Sequence, residues 1–224
     1  MSDRICIASG GKIQVSLSAV DLMSCCWPRC GYGCWGGTPL LAWQYWVSDG
    51  IVTGSNYTVK QGCRPYPFPP CEHFSNNKHY PDCPPVFHFT PDCDRKCQGN
   101  YSKTYNEDRY YGLSAYNVSN NTRAIQTELY INGPLEIGFK VFEDFTHYST
   151  GIYFHRSGEF YGLHAVKLIG WGEDNGVPYW TLANSWNTDW GENGFFRILR
   201  GKDECGIESL AVVAGLPDLK RNIF

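Results

Sequence analysis

The architecture of this chain follows from two short stretches, Gly162-Leu163-His164-Ala165-Val166 and, twenty residues after its histidine, Asn184-Ser185-Trp186. Each lies at the end of a run of residues typical of a β-strand. Between the two runs, Asn175-Gly176 predicts a tight hairpin turn, because this dipeptide readily adopts the positive φ angles that such turns require. The hairpin can therefore bring the side chains of His164 and Asn184 together.

A histidine in contact with an asparagine has a specific chemical use. The Asn184 oxygen can accept a hydrogen bond from one ring nitrogen of His164, which fixes the tautomer and leaves the other nitrogen free as a base. Trp186 can cover this hydrogen bond and keep water away from it. The pattern predicts the base and the orienting residue of a nucleophilic site. The alternative is structural, because a histidine in an apolar strand is more often a core residue.

The composition indicates a globular protein. The chain has 224 residues, of which 42% are hydrophobic and 18% charged, enough for one large domain or two small lobes with a core. The formal net charge is −3 and no basic run occurs, which argues against nucleic acid as a partner. No run of 18 apolar residues occurs, so the sequence predicts no membrane span. Nothing in it indicates a cofactor.

Cysteine is the strongest compositional signal, with 11 residues, eight of them from Cys25 to Cys93. This usage is typical of oxidising compartments, where cysteines form disulfides. Zinc is the alternative use of clustered cysteines, but tight C-x2-C pairs are lacking, so no metal is expected. Four N-x-S/T sequons agree with a secretory route, and they predict N-glycosylation at Asn56, Asn100, Asn117 and Asn120.

The first residues of the chain do not have the signal peptide that a secretory route requires. Met1-Ser2-Asp3-Arg4 lacks the apolar segment of a signal peptide. We therefore expect that the chain does not begin where the protein begins. A full-length form that carries a signal peptide would be lysosomal or extracellular.

The order of the predicted elements is helices and loops first, strands second. Ser18 predicts the cap of a short helix, Thr38-Pro39 predicts the start of a largely apolar helix that ends at Gly50, and a third helical pattern ends at Gly133-Pro134. Strands are predicted at 135–141 and at about 164–171, 178–184, 194–200 and 208–214. Residues 54–106 are rich in Cys, Pro, Asn and Tyr and predict a long, cross-linked loop region. This order is typical of an α+β chain of two lobes.

Eight motifs occur in an order and at a spacing that point to one protein family. They are Ser2-Asp3-Arg4-Ile5-Cys6-Ile7, Asp21-Leu22-x-x-Cys25-Cys26, Cys30-Gly31-x-Gly33-Cys34-x-Gly36-Gly37, Cys63-Arg64-Pro65-Tyr66, Pro70-Cys71-Glu72-His73, Asn132-Gly133-Pro134, Asn184-Ser185-Trp186-Asn187-x-Asp189-Trp190-Gly191 and Cys205-Gly206-Ile207-Glu208-Ser209. Together they resemble the cathepsin B-like cysteine peptidases of the papain family, over nearly the whole chain. The resemblance implies an α+β, papain-like fold of two lobes. A helical, disulfide-rich lobe at 1–110 would precede an antiparallel, β-barrel-like lobe at 111–224.

The resemblance also implies a mechanism and a set of partners. In this family a cysteine thiolate attacks the peptide carbonyl, and a histidine then gives its proton to the leaving amine. The roles implied are base for His164, orienting residue for Asn184 and shield for Trp186. Gly36, Gly37, Leu163 and Trp186 would contact the substrate. The partners implied are peptide or protein substrates, a propeptide and cystatin-like inhibitors.

The nucleophile itself is expected to be missing. The family's C-G-S-C-W stretch and its oxyanion Gln precede the motif found here at 2–7, so both, with most of the central helix, would precede Met1. The chain alone would then be inactive. Cys34 in Cys30-Gly31-Tyr32-Gly33-Cys34-Trp35 looks similar and has a suitable spacing from His164. We reject it, because it lacks the helix N-terminus that stabilises a thiolate. The alternative function is a catalytically dead relative that binds peptides or matrix.

Spacing alone leaves the disulfide connectivity open. The resemblance implies four disulfides, Cys25–Cys93, Cys26–Cys30, Cys63–Cys97 and Cys71–Cys83. It leaves Cys6, Cys34 and Cys205 unpaired.

Three departures from the family pattern affect specificity. The occluding-type loop, closed by Cys71 and Cys83 and containing Glu72 and His73, has Phe74 where the family has a second histidine that grips a substrate carboxylate. Leu163 replaces the glycine before the catalytic histidine. Leu210-Ala211 replaces an acidic residue at the base of the S2 pocket. We expect an endopeptidase with weak carboxydipeptidase action and a preference for apolar P2 side chains.

Overall fold

The computed structural model describes residues 1–72, 74, 79–84 and 88–222. Within these residues the α-helices are α1 (Ser2–Ala8), α2 (Ala19–Cys25), α3 (Pro39–Ser48), α4 (Thr122–Asn132) and α5 (Glu143–Thr146). The strands are β1 (Tyr116–Asn117), β2 (Leu135–Phe142), β3 (Ile152–Tyr153), β4 (Phe160–Asp174), β5 (Val177–Ala183), β6 (Phe195–Leu199) and β7 (Ala211–Ala214). In the described part of the chain, none of the helices has the length and apolar character that a membrane span requires.

The chain forms two compact units. The first unit comprises residues 1–69, 84–116 and 214–224, and the second comprises residues 70–83 and 117–213. Helices α1 to α3 belong to the first unit, whereas α4, α5 and strands β2 to β6 belong to the second. The predicted α+β class is confirmed, and the division at residue 110 stays a prediction.

The helices of the first unit begin where local signals predict. Ser18 caps α2, its Oγ accepting from the backbone nitrogen of Asp21 at 3.1 Å. Pro39 is the first residue of α3, where its missing N–H costs nothing. Trp43 and Trp46 of α3 are buried, as expected for a helix with so many apolar residues.

The loop-rich part of the first unit is organised around two buried carboxylates. Asp21 accepts from the guanidinium of Arg64 at 3.0 Å and from the hydroxyl of Tyr105 at 2.8 Å. Asp108 accepts from the hydroxyl of Tyr101 at 2.6 Å and from the backbone nitrogen of Thr53 at 2.8 Å. Because each carboxylate is paired or hydrogen-bonded, burial does not leave it unsatisfied.

A single sheet dominates the second unit. Its strand order in the described chain is β1-β7-β2-β4-β5-β6-β3, with β2, β4, β5 and β6 pairing antiparallel in succession. The expectation of an antiparallel, barrel-like lobe needs correction, because the sheet is open and β3 pairs parallel with β6. The edge strands of the described sheet, β1 and β3, are two residues long each and lie at opposite ends of the strand order, so the sheet does not close into a barrel.

The β4–β5 hairpin has the predicted turn. Asp174 pairs with Val177, and the two residues between them, Asn175 and Gly176, have φ angles of 51° and 80°. Positive φ at both positions matches the twist of the flanking strands. The hairpin therefore fixes the register between the strand of His164 and the strand that leads to Asn184.

Candidate active site

His164 lies on β4, where its backbone pairs with Phe139 of the neighbouring strand β2. The next residues on the same face, Val166 and Leu168, are buried. His164 itself is half-buried, so its ring lies at the margin of the core. The alternation of the strand thus places the imidazole against apolar neighbours while leaving part of it accessible.

Asn184 directly follows β5 and contacts His164. Its Oδ1 lies 2.8 Å from Nε2 of His164 and also accepts from the backbone nitrogen of Ser185 at 2.8 Å. A side-chain amide oxygen can only accept, so Nε2 of the neutral imidazole carries the proton. The free nitrogen of His164 is then Nδ1, which can act as a base.

Trp186 covers the imidazole. Its ring stacks on His164 with a centroid distance of 5.2 Å and an interplanar angle of 24°. Trp190 packs edge-on against the indole at 5.0 Å, and Phe145 does so at 5.5 Å. The indole of Trp186 is therefore itself held by the buried rings of Trp190 and Phe145, which restricts its movement over His164.

Burial lowers the pKa of His164 below its ordinary value, because an imidazolium ion loses hydration in this apolar setting. The hydrogen bond with Asn184 acts in the opposite direction and offsets part of the shift. The neutral form is favoured until an anion lies nearby. This arrangement suits a base that becomes charged only when it pairs with a thiolate.

The occluding-type loop lies against the turn that follows Asn184. Glu72 is buried, and its Oε2 accepts from Nδ2 of Asn187 at 2.8 Å. The same amide donates to the carbonyl of Cys71 at 3.0 Å. His79 contacts Asp189 through its ring Nδ1 at 2.6 Å and through its backbone nitrogen at 2.7 Å. The predicted His73 lies outside the described residues.

Phe74 of this loop packs on Trp186, with a ring centroid distance of 5.1 Å. Its side chain remains 38% exposed. The structure thus brings together five residues that the sequence singled out, in the row Asn184, His164, Trp186, Phe74 and Glu72. Leu163 precedes the histidine and is 66% exposed.

The sequence indicated no role for Asn187 and Asp189, which anchor the loop. A local signal existed, because an Asn side chain readily accepts a hydrogen bond from the backbone nitrogen two residues later and so favours a tight turn. The backbone nitrogen of Asp189 indeed donates to Oδ1 of Asn187 at 2.7 Å. Their contacts with residues more than 100 positions away could not be inferred from that signal.

Gly36 and Gly37 lie in the first unit. Gly37 bridges to Gly31, and a side chain at Gly37 would approach the carbonyl oxygen of Cys30 to 2.7 Å. Gly36 has a φ of 107° and open space around its α-carbon. A glycine is thus required at both positions, and their contact with substrate stays a prediction.

The four predicted disulfides are confirmed. Cys25 bonds to Cys93, Cys26 to Cys30, Cys63 to Cys97 and Cys71 to Cys83. The remaining thiols are Cys6, Cys34 and Cys205, as predicted. Disulfide cysteines cannot supply thiolates to zinc, so eight of the eleven are excluded as ligands.

The four sequon asparagines, Asn56, Asn100, Asn117 and Asn120, are all exposed. Exposure makes each one accessible to modification, and glycosylation itself stays a prediction.

Comparison with known proteins decides the family. The sequence profile described as papain family cysteine protease matches residues 1–215. The chain belongs to the papain family of cysteine proteases. The chain is 64% identical over 220 residues to cathepsin B-like cysteine proteinase 6 of Caenorhabditis elegans. The predicted resemblance of this papain-family chain to cathepsin B-like enzymes is therefore confirmed. It is also 53% identical over 216 residues to a cathepsin B-like cysteine proteinase of Schistosoma japonicum.

A solved structure agrees with these relatives. The papain-family chain superimposes on procathepsin B S9 from Trypanosoma congolense with a TM-score of 0.80 at 40% sequence identity. The matches cover 98%, 96% and 97% of this chain, but 58%, 62% and 65% of the C. elegans, S. japonicum and T. congolense proteins. The chain thus spans about three fifths of the length of the relatives it matches.

Proposed function

We propose that this chain supplies the base, the orienting residue and the shield of a cathepsin B-like cysteine peptidase. The observation that carries the proposal is the row Asn184–His164–Trp186, with its 2.8 Å hydrogen bond and its stacked rings. In the proposed reaction a cysteine sulfur, its proton transferred to Nδ1 of His164, bonds to the peptide carbonyl carbon. The carbon–nitrogen bond then breaks, and the imidazolium gives its proton to the leaving amine. Water hydrolyses the thioester and restores the thiol.

We propose that the nucleophile is a cysteine outside residues 1–224. Two observations on the free thiols support this. Burial, with the nearby Glu204 carboxylate, raises the pKa of Cys205 to about 12, so almost no thiolate forms there at neutral pH. The sulfur of Cys34 lies 3.5 Å from the thioether of Met23, and Cys34 belongs to a three-residue 3-10 helix rather than to the first turn of an α-helix.

The substrate preference proposed for P2 is apolar. A Cβ atom at Gly138 of β2 would lie 3.1 Å from Cβ of Ala211 and 3.6 Å from Leu210, so these residues lie against that strand. Gly138 pairs with Ala165, the residue after His164. An arginine side chain on this small apolar surface would find no carboxylate from Leu210 or Ala211, and an unpaired buried charge is costly. Leu, Val or Phe should therefore be preferred at P2.

The cleavage mode proposed is endopeptidase action with weak release of C-terminal dipeptides. A substrate carboxylate needs a charged or strong hydrogen-bond donor, and the Phe74 side chain offers none. His79 is the other candidate in the loop, but it contacts Asp189, so its charge is already paired when it is protonated. Peptide and protein substrates, a propeptide and a lysosomal or secreted location are part of the same proposal. The four disulfides support the secretory route.

A chimera tests the proposal. It joins residues 1–224 to the parts of the C. elegans relative that lie outside the matched region. We expect it to cleave a fluorogenic peptide with Leu at P2 faster than the same peptide with Arg. We expect His164→Ala to lower kcat/KM by about a thousandfold, and Asn184→Ala to lower it less. Tyr130→Ala, an exposed position on α4, is the matched control and should leave activity unchanged.

Two outcomes would contradict the proposal. The chimera could remain inactive under conditions in which the parent relative cleaves the same peptide, which would favour the alternative of a peptide-binding protein. Residues 1–224 alone could cleave the peptide, with the activity lost in Cys34→Ala, which would make Cys34 the nucleophile.

A further inference from the structure

The dipeptide Asn-Gly occurs three times in this chain, at Asn132-Gly133, Asn175-Gly176 and Asn193-Gly194. Asparagine is a thermolabile residue, because the backbone nitrogen of the following residue can attack its side-chain amide carbon. A following glycine favours this attack, because it has no Cβ to hinder the approach. The three sites therefore share the same local chemistry, and the fold decides which of them reacts.

At two of the three sites the attacking nitrogen is already engaged. The nitrogen of Gly133 donates to the carbonyl of Leu129 at 3.0 Å at the end of α4, and Gly133 is buried. The nitrogen of Gly194 donates to the carbonyl of Trp190 at 2.8 Å. A Cβ atom at Gly194 would lie 2.9 Å from the carbonyl oxygen of Asn187, so the backbone there has little room to rotate. Attack at either site requires that the local structure opens first.

The hairpin turn between β4 and β5 leaves the third site accessible. Asn175 and Gly176 are both exposed, and the nitrogen of Gly176 has no hydrogen-bond acceptor among the described residues. A Cβ atom at Gly176 would meet no atom within 4 Å, so the tip of the turn has open space around it. The hydrogen bond that closes such a turn joins its first and fourth residues. The nitrogen of Gly176 is therefore not needed to hold the strands together.

The side chain of Asn175 is also lightly restrained. Its Nδ2 donates to Oδ1 of Asp174 at 3.0 Å, and both residues are exposed. Water can replace a hydrogen bond between two exposed neighbours at little cost. The amide carbon of Asn175 and the nitrogen of Gly176 thus lie at the tip of a hairpin, where small local openings are the most frequent.

We propose that Asn175 is a site of spontaneous modification, deamidation through a cyclic imide. The nitrogen of Gly176 loses its proton to hydroxide and bonds to Cγ of Asn175. The carbon–nitrogen bond of the side-chain amide breaks, and ammonia leaves with a proton taken from water. Water then adds to one of the two imide carbonyls and opens the ring to aspartate or isoaspartate. The sum consumes one water and releases one ammonia, without oxidant, reductant or cofactor.

The modification changes the turn in charge and in length. It adds a negative charge next to Glu173 and Asp174, in a chain whose formal net charge is −3. Aspartate still tolerates a positive φ, whereas isoaspartate inserts a carbon atom into the backbone of a two-residue turn. This turn sets the register between the strand of His164 and the strand that leads to Asn184. The inference does not rest on the proposed function.

Ageing of the folded chain, followed at each site, tests the inference. Residues 1–224 are kept at mildly alkaline pH, where the attacking nitrogen loses its proton more readily, and samples are digested and mapped by mass spectrometry. The mass gained when an amide becomes a carboxyl group reports deamidation, and labelling by isoaspartyl methyltransferase identifies isoaspartate. We expect Asn175 to convert at least about tenfold faster than Asn132 and Asn193. In the reduced chain unfolded in urea, the three rates should agree within about threefold.

Two variants and a second host protein complete the test. Asn175→Gln should remove the fast conversion, because glutamine must close a larger ring, which forms more slowly. Asn193→Gln is the matched control at another exposed asparagine before glycine, and it should leave the rate at Asn175 unchanged. Circular dichroism checks that each protein is folded. If residues 1–224 do not fold alone, the same three rates are measured in the chimera.

Two outcomes would overturn the inference. The three sites could deamidate at equal rates in the folded protein, or Asn132 or Asn193 could react faster than Asn175. Either result would show that an unengaged glycine nitrogen at the hairpin tip does not determine the site. Peptidase activity of the chimera has no bearing on these rates, so the inference and the proposed function succeed or fail separately.

Discussion

The first unit surrounds two buried acidic side chains with loops, in addition to the buried rings of α3, whereas the second unit gathers its buried rings around Phe145. Asp21 and Asp108 are fully buried in the first unit, and their partners come from loops rather than from strands. In the second unit Phe145 lies within 5.0 Å of the ring centroids of Phe139, Trp190 and Phe196. A loop-rich region without a sheet has many backbone groups to satisfy, and buried carboxylates can do so. A sheet satisfies its own backbone, so its faces are free to pack rings.

The two units also differ in how they are cross-linked. Three of the four disulfides lie wholly within the first unit, and the second unit has Cys71–Cys83. Irregular backbone in the first unit is thus held by covalent and polar restraints, whereas the candidate base His164 depends on the apolar packing of Trp186 and its neighbours. The following experiments perturb or label residues of a known unit, so that the responses of the two units can be compared.

Removing the central ring of the second unit should be the most damaging change. Phe145→Ala deletes a fully buried ring that supports Trp186, and we expect a loss of about 3–5 kcal/mol in the free energy of unfolding. Urea unfolding followed by tryptophan fluorescence measures it. Tyr130→Ala, with its exposed ring, should stay within about 0.5 kcal/mol of the parent. A cost for Phe145→Ala as small as that of the control would remove the basis of the comparison.

Removing the Cys63–Cys97 disulfide should destabilise the first unit. This bond closes a segment of 34 residues, whose described part contains no α-helix or strand, and we expect the double variant Cys63→Ser, Cys97→Ser to lose about 3 kcal/mol. Amide hydrogen exchange should accelerate at Val52 and Tyr105, which pack beside it, and stay unchanged along β4 and β5. The matched control opens Cys71–Cys83, which closes only 12 residues, and should cost less. Equal acceleration in β4 would show that the units do not respond separately.

The ion pair of Glu192 and Arg197 should make the stability of the second unit fall at acid pH. Hydrogen bonds from Arg197 lower the pKa of Glu192 from 4.5 to about 2. A carboxylate whose folded-state pKa is depressed stabilises the fold above its unfolded pKa, and this contribution is lost as pH falls toward the folded value. We expect Glu192→Gln to cost about 2 kcal/mol at pH 7 and to flatten the fall in stability between pH 5 and pH 2.

The control for this prediction is Glu173→Gln, which removes an exposed carboxylate from the same unit. It should keep both the stability at pH 7 and its decline in acid. Thermal unfolding at several pH values compares the three proteins. If Glu192→Gln retains the full acid dependence, the depressed pKa belongs to another group.

The free thiols Cys6, Cys34 and Cys205 should be alkylated at different rates. Burial raises the pKa of Cys205, in the second unit, to about 12. At pH 8 its alkylation should therefore be at least about a hundredfold slower than that of an ordinary thiol. Iodoacetamide labelling followed by peptide mass mapping should find Cys6 and Cys34 labelled first. Early labelling of Cys205 would mean that its surroundings open readily.

The elements that the sequence predicted well are those set by near neighbours along the chain. Ser18 begins α2 through a bond to a residue three positions away, and Asn175-Gly176 forms its hairpin through its own φ angles. The contact of His164 with Asn184 follows from that hairpin. The parallel pairing of β3 with β6 and the anchoring of Glu72 by Asn187 were not predicted. Both join distant segments through polar or backbone groups that carry no periodic pattern.

The discontinuity of the first unit has a consequence for how the chain acquires its structure during synthesis. The buried guanidinium of Arg4 donates to the carbonyl of Gly215, 211 residues later, so this bond can form only after residue 215 has left the ribosome. The second unit, apart from residues 70–83, is continuous from 117 to 213 and can complete its sheet earlier. Non-local contacts of this kind slow folding. The bond between Arg4 and Gly215 therefore joins the two ends of the first unit only when almost the whole chain has been synthesised.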